Sequence, residues 1–80
     1  MAMYFFDFRS GDIVSIDDEG LELTDVDAAH TEAVQALAAA IQDIITQGRG
    51  DQQIAIDVRD NVGAVLEVTA VLGSKILRKQ

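Results

Sequence analysis

The chain has 80 residues, of which 49% are hydrophobic and 25% are charged, and it contains no cysteine, proline or tryptophan. This length allows one domain, and the ordinary balance of apolar and charged residues excludes a disordered chain. The formal net charge of -8 opposes binding to nucleic-acid phosphates, and the lack of cysteine excludes disulfides and thiolate metal sites.

The first part of the chain predicts a β-hairpin. Aromatic residues favour a strand over residues 3–9, and a serine–glycine pair after it is typical of a tight turn. A second strand follows over residues 12–17. Period-two alternation predicts that Val14 and Ile16 of this strand face the core and that Ile13 faces the opposite side.

A long helix is predicted next. Asp25 is the expected N-cap, with Thr24 as the alternative, and Gly48 is the expected C-terminal stop. His30, the only histidine, lies within the apolar stripe, and we expect it to be a partly buried structural residue. The stripe expected to face the sheet consists of Val26, His30, Ala33, Leu37, Ile41 and Ile44, flanked by Val34, Ala40 and Ile45.

A second hairpin follows the helix. Residues 53–60 and 64–72 alternate as strands, and Gly63 in the turn between them is placed for a bulge. Residues 73–80 form a basic tail. The predicted element order is therefore β-β-α-β-β in one α+β domain over residues 1–80.

The two hairpins share a short sequence repeat, Phe6-Asp7-Phe8-Arg9 and Ile56-Asp57-Val58-Arg59. A two-fold relation between them predicts a four-stranded antiparallel sheet in the order second, first, third, fourth strand. The helix then crosses over one face as a right-handed connection. One helix covers one face, so the other face, which we call the outer face, is predicted to stay open.

The outer face is the candidate interaction surface. Charged side chains at its centre and apolar side chains around them are typical of an interface with a defined register. The alternative is that Asp7 pairs with Arg59 and Arg9 with Asp57 as surface ion pairs and nothing more. The candidate interface residues are Met3, Phe5, Asp7, Arg9, Ile13, Asp57, Arg59, Val65 and Glu67.

Two alternative functions come from other parts of the sequence. Acidic residues gather over residues 17–27, and with His30 they suggest a small-ligand or divalent-metal site, although their spacing does not fit an EF-hand loop. Residues 1–47 hold ten acidic residues and one basic residue, which suggests an acidic mimic of nucleic acid that occupies a basic protein site.

Five segments together carry a resemblance to a known family: Tyr4-Phe5-Phe6-Asp7-Phe8-Arg9, Asp18-Glu19-Gly20-Leu21-Glu22-Leu23, Asp25-Val26-Asp27-Ala28-Ala29 with Glu32-Ala33, Ile56-Asp57-Val58-Arg59-Asp60, and Gly63 ahead of Val65-Leu66. The chain resembles, over about residues 1–70, a family of short bacterial proteins known only as a domain of unknown function. The resemblance implies a β-β-α-β-β domain and no particular activity. Members often carry His in place of Asp7 and a basic residue in place of His30, which speaks against a required acid, base or ligand there.

These observations predict a small interaction or regulatory module without catalytic activity or cofactor. It is expected to form a homodimer or to bind a protein partner through the outer face, without direct contact to nucleic acid or membrane. No apolar run is long enough for a transmembrane helix and the N-terminus does not resemble a signal peptide, so we expect a cytoplasmic protein.

Overall fold

The computed structural model describes residues 1–47, 52–73 and 75–78. Within these residues the fold is α+β, as predicted, with one helix and an antiparallel sheet of five strands. The elements are β1 (Ala2–Ser10), β2 (Ile13–Ser15), β3 (Leu21–Leu23), α1 (Val26–Thr46), β4 (Gln52–Arg59) and β5 (Ala64–Leu72).

The sheet has the order β2-β1-β4-β5, and β3 also pairs with β1. Residues 8–10 of β1 pair with both β2 and β4, so these two strands lie along opposite edges of β1. The order of the four predicted strands is confirmed, but their count was wrong. β3 was missed because its three residues are too few to show alternation, and it forms by pairing with residues 2–4 of β1.

The first hairpin has a different register from the predicted one. Ser10 pairs with Ile13 and Arg9 with Val14 across a two-residue turn. Opposite residues share a face, and Ser10 is buried on the helix side. Ile13 therefore lies on the helix side and Val14 on the outer face, the reverse of the prediction. The side chain of Ile16, expected in the core, is 63% exposed beyond the end of this edge strand.

Helix α1 begins as predicted, since the Asp25 carboxylate accepts a hydrogen bond of 2.9 Å from the Ala28 N–H. Its buried face differs from the predicted stripe, because it contains Ala29 in place of His30, and His30 is exposed to solvent. The small side chains of the two buried alanines allow the helix to approach the sheet closely. The buried helix residues are Ala29, Ala33, Leu37 and Ile44, and Gly48 lies outside the described residues.

The core lies between the helix and one sheet face. Ile54 and Val58 of the central strand β4 are its largest fully buried side chains. Tyr4, Ile56 and the buried helix residues complete the cluster, and Phe6, Phe8, Leu66 and Val68 pack against it. Val26, predicted in the stripe that faces the sheet, is 48% exposed, and the flanking residues Val34 and Ile45 are exposed too, so these positions do not face the sheet as predicted.

The second hairpin closes as predicted. The Asp60 carboxylate accepts the N–H groups of Val62 and Gly63, and the Asp60 N–H donates to the Gly63 carbonyl at 2.9 Å. The register shifts beside Arg59, which leaves Val65 as the extra residue of a bulge. No helix among the described residues is long and apolar enough to cross a membrane.

Candidate functional site

The outer face brings together eight of the nine candidate interface residues. Residues of β1 with odd numbers share this face with their opposite partners on β4, and Glu67 of β5 lies opposite Asp57. Val65, at the bulge, touches both the core and a cleft on the outer face. Ile13 is the exception, since the hairpin register places it on the helix side.

One half of the charged centre is organised by Arg59. Its Nε donates to the Asp7 carboxylate at 2.9 Å, and its Nη2 donates to the Asp17 carbonyl at 2.8 Å. The guanidinium carbon also lies 4.5 Å from the centroid of the Phe5 ring, which is a cation–π contact. The side chain of Asp7 is 14% exposed. Arg59 therefore links the apolar and the charged parts of the outer face.

The other half is organised by Arg9. Its Nε and Nη2 donate to the two oxygens of Asp57 at 3.1 and 3.2 Å, and Nη2 also donates to Glu67 at 2.8 Å. The hydrogen bonds from Arg9 lower the pKa of Asp57 below its usual range, against the opposing effect of burial. The same bonds raise the pKa of the Arg9 guanidinium, so both groups stay charged at neutral pH.

The two arginines bridge carboxylates that the strand register places directly opposite one another. Asp7, Asp57 and Glu67 lie side by side across three strands, and like charges in directly opposite positions are destabilising. Arg9 and Arg59 approach them diagonally and bridge the row. Both predicted ion pairs, Asp7 with Arg59 and Arg9 with Asp57, are confirmed by these contacts.

Asp17 is part of this centre although it was assigned only to the acidic loop. Its carboxylate accepts the N–H groups of Phe6, Glu19 and Gly20 at 3.0–3.1 Å, and its own N–H donates to Asp7. The bond from Phe6, followed by those from Gly20 and Glu19, lowers the pKa of Asp17. Phe6 lies between the parts of β1 that pair with β2 and β3, so Asp17 replaces a strand partner there.

The loop that carries Asp17 returns to β3 through Gly20. Its φ of +76° favours glycine, and a Cβ at this position would lie 2.9 Å from both Met3 Sδ and Phe5 Cε2. The loop backbone therefore packs directly against two outer-face side chains. An Asp followed by a turn glycine three residues later was the available sequence signal for this loop, because Asp carboxylates commonly accept N–H groups in tight turns.

We define the charge cluster as Asp7, Arg9, Asp17, Asp57, Arg59 and Glu67. Beside it lies an open cleft of about 550 Å³, lined by Asp7, Asp57, Val58, Arg59, Gly63, Ala64, Val65, Leu66 and Glu67. The cleft offers carboxylate oxygens and an apolar wall, which suit a cationic side chain with an aliphatic stem.

The acidic loop and His30 do not form a metal site in the described part of the chain. No group of three or more His, Cys, Asp or Glu side chains is arranged there to hold a metal ion. The Asp17 carboxylate already accepts three N–H groups, and His30 is exposed on the helix. These contacts assign the acidic loop a structural part in the outer face.

The comparisons with known proteins concern the family alone. Neither the curated proteins nor the solved structures include one that matches this chain. A family model described as a domain of unknown function, DUF6894, matches residues 3–71. Among the described residues, this range contains the whole helix and all five strands, except Ala2 at the start of β1 and Leu72 at the end of β5. The chain therefore belongs to the DUF6894 family, in agreement with the resemblance to an unknown-function family read from its motifs.

Proposed function

We propose that the protein is a non-catalytic interaction module that binds a basic segment of a partner protein on its outer face. The observation that carries this proposal is the composition of the charge cluster, which holds four carboxylates and two guanidinium groups, with three of the carboxylates bonded directly to a guanidinium. Its surplus of negative charge is accessible on Asp57 and Glu67, whose side chains are 38% and 54% exposed.

The surroundings of the charge cluster also support a protein partner. Met3, Phe5 and Val65 are half-buried around it, and the cleft beside Asp57 combines an apolar wall with carboxylate oxygens. A lysine or arginine side chain entering this cleft would place its stem on the apolar wall and its charge beside Asp57 and Glu67. The rigid strands hold these groups in place before binding, which limits the entropy lost on association.

Charge favours a basic partner over a second copy on this face. Each copy carries a net charge of -8, and two outer faces in contact would oppose two acidic clusters. A basic segment instead adds favourable attraction that speeds association and weakens as salt rises. The same proposal includes a cytoplasmic location, which the sequence predicts and which imaging of a fluorescent fusion would test.

A titration followed by ¹H–¹⁵N NMR tests the proposal, with a hexa-arginine peptide as the probe and a hexa-glutamate peptide as its control. We expect the arginine peptide to shift the amide signals of Asp57 and Glu67 more than those of Asp18 and Glu22 in the acidic loop. The shifts should diminish as sodium chloride is raised from 20 to 300 mM, over which the Debye length shortens to about a quarter.

Two matched variants separate the outer face from general acidity. Asp57→Asn and Asp18→Asn each remove one negative charge, but only Asp57 belongs to the charge cluster. We expect Asp57→Asn to weaken peptide binding and Asp18→Asn to leave it near the value of the native chain. Equal loss in both variants, or shifts centred on the acidic loop, would show that net charge rather than the outer face attracts the peptide.

A further inference from the structure

We infer that two copies of this protein pair antiparallel through the outer edge of β5, in register about Val68. Strand β5 ends the sheet order, and among the described residues it pairs with β4 alone. It is nine residues long, and its sequence AVLEVTAVL contains one charged residue. Long edge strands rich in β-branched residues, without proline or lysine, are ready templates for another strand.

Hydrogen bonding at β1 identifies the direction of the backbone groups across the sheet. The Phe6 N–H donates to Asp17, on the side of β1 away from β4. Phe6 and the opposite residue Val58 therefore exchange no backbone hydrogen bonds. Along antiparallel strands, pairs that exchange backbone hydrogen bonds alternate with pairs that do not. The backbone N–H and C=O groups of Val58 and of the other even-numbered residues of β4 consequently point towards β5. The bond from the Asp60 N–H to the Gly63 carbonyl has the same direction.

The same alternation continues into β5. Its even-numbered residues lie opposite even-numbered residues of β4, as in the pairs of Ile56 with Val68 and Ile54 with Ala70. The N–H and C=O groups of these residues are bonded within the sheet. Those of Glu67, Thr69 and Val71 point to the outer edge, where a second strand would satisfy them.

One register suits this edge best. With Val68 opposite Val68 of the second copy, all nine residues of β5 overlap, and Glu67 lies opposite Thr69. Glu67 and Thr69 then form a pair that exchanges both backbone hydrogen bonds, as their edge direction requires. A shift of the centre to Glu67 would oppose two carboxylates, and a shift to Thr69 would shorten the overlap. The register about Val68 avoids both costs.

Side chains and charge agree with this register. Val71, which is 80% exposed, would lie beside Val65 of the second copy, and Leu66 would lie opposite Ala70. Residues 48–80 hold four acidic and five basic residues, whereas residues 1–47 hold ten acidic and one basic. The edge strand therefore belongs to the half of the chain where two copies repel each other least. Pairing joins the two sheets into one, with both helices on the same face.

The test is the mass in solution, measured by sedimentation velocity from 1 to 500 µM, with native folding checked by circular dichroism. We expect the native chain to be in a monomer–dimer equilibrium. Thr69→Glu places a carboxylate opposite Glu67 of the second copy at two symmetric positions, which should raise the dissociation constant about tenfold. Thr69→Gln has a similar size without the charge and should leave the constant unchanged.

Two further variants complete the design. Val62→Glu adds the same charge in the exposed turn, away from the edge, and should dimerise like the native chain. Adding Glu67→Gln to Thr69→Glu removes the opposing carboxylate across the pair, keeps a hydrogen-bond acceptor for Arg9 and should recover dimerisation. A native chain that stays monomeric at 500 µM, or a dimer that Thr69→Glu leaves intact, would overturn the inference. Neither result bears on peptide binding at Asp57, so the two proposals fail separately.

Hydrogen exchange provides a second readout with its own pattern. In a dimer, the amides of Glu67, Thr69 and Val71 gain protection as concentration rises, while those of Leu66, Val68 and Ala70 are already protected by β4. Protection that rises on other surfaces instead would place the contact elsewhere and refute pairing through β5.

Discussion

Replacing Asp17 by alanine tests whether one carboxylate substitutes for strand pairing in the outer face. The side chain accepts the Phe6 N–H at 3.1 Å and two loop N–H groups, from Glu19 and Gly20. Water reaches the loop groups after the change. The Phe6 N–H is partly buried within the sheet, and a buried donor that loses its acceptor costs about 1–3 kcal/mol.

We therefore expect Asp17→Ala to lower the free energy of unfolding by about 2 kcal/mol, a large part of the total for a domain of this size. The corresponding fall in Tm is about 10 °C. Urea unfolding followed by circular dichroism gives the first quantity, and a thermal scan gives the second. Asp18→Ala is the matched control, because Asp18 is exposed, and it should change stability by less than about 0.5 kcal/mol.

The stability difference between the native chain and Asp17→Ala should also depend on pH, in a direction that follows from the pKa of Asp17. The pKa of Asp17 is lowered in the folded chain, first by the bond from Phe6, so the folded state favours the charged form. Its contribution is complete above the unfolded pKa of about 4 and is lost as pH falls through the folded pKa. The stability difference between the native chain and Asp17→Ala should therefore shrink below pH about 4. Equal stability of Asp17→Ala and Asp18→Ala at pH 7 would refute the reasoning.

Three other substitutions test the loop, the helix start and the core. Gly20→Ala should cost about 2–4 kcal/mol, because it combines a positive φ with a clash against Met3 and Phe5. Gly11→Ala, with φ +57° and nothing among the described residues within 4 Å of its Cβ, should cost only about 1–2 kcal/mol; equal losses would exclude the clash. Asp25→Ala removes the N-cap and should cost about 1 kcal/mol by urea unfolding, whereas no loss would show that the cap is dispensable. Ile54→Ala opens a cavity under the helix and should cost about 2–5 kcal/mol, against almost nothing for Val62→Ala at a site 97% exposed; a small loss at Ile54 would mean that the core is not packed there.

Local patterns were sufficient for most of the elements. The strand Ala64–Leu72, the N-cap Asp25 and the two ion pairs of the outer face agree with the prediction. Each depends on neighbours in the sequence or on a repeated motif, so periodicity and capping chemistry were enough. The repeated Asp-x-Arg spacing also led to the strand order, because pairing the two repeats antiparallel brings each Asp near the other Arg.

The wrong predictions concern residues whose face is decided by a one-residue shift in strand register or by a small rotation of the helix about its axis. A two-residue turn at Gly11 places Ile13 opposite Ser10 and so on the helix side, although alternation alone allowed either side. In the helix, Ala29 rather than His30 faces the sheet, because an alanine lets the two elements approach more closely. Neither choice can be made without the position of the opposing element.

The sequence by itself determined the α+β class, the order of the long strands and the excess of acidic residues, since these follow from alternation, caps and composition. Only the tertiary structure decided what Asp17 does and which way the edge of β5 faces. Both depend on backbone N–H and C=O groups, which every residue carries and which therefore leave little trace in the sequence. Their partners are chosen by the packing of strands that are distant along the chain.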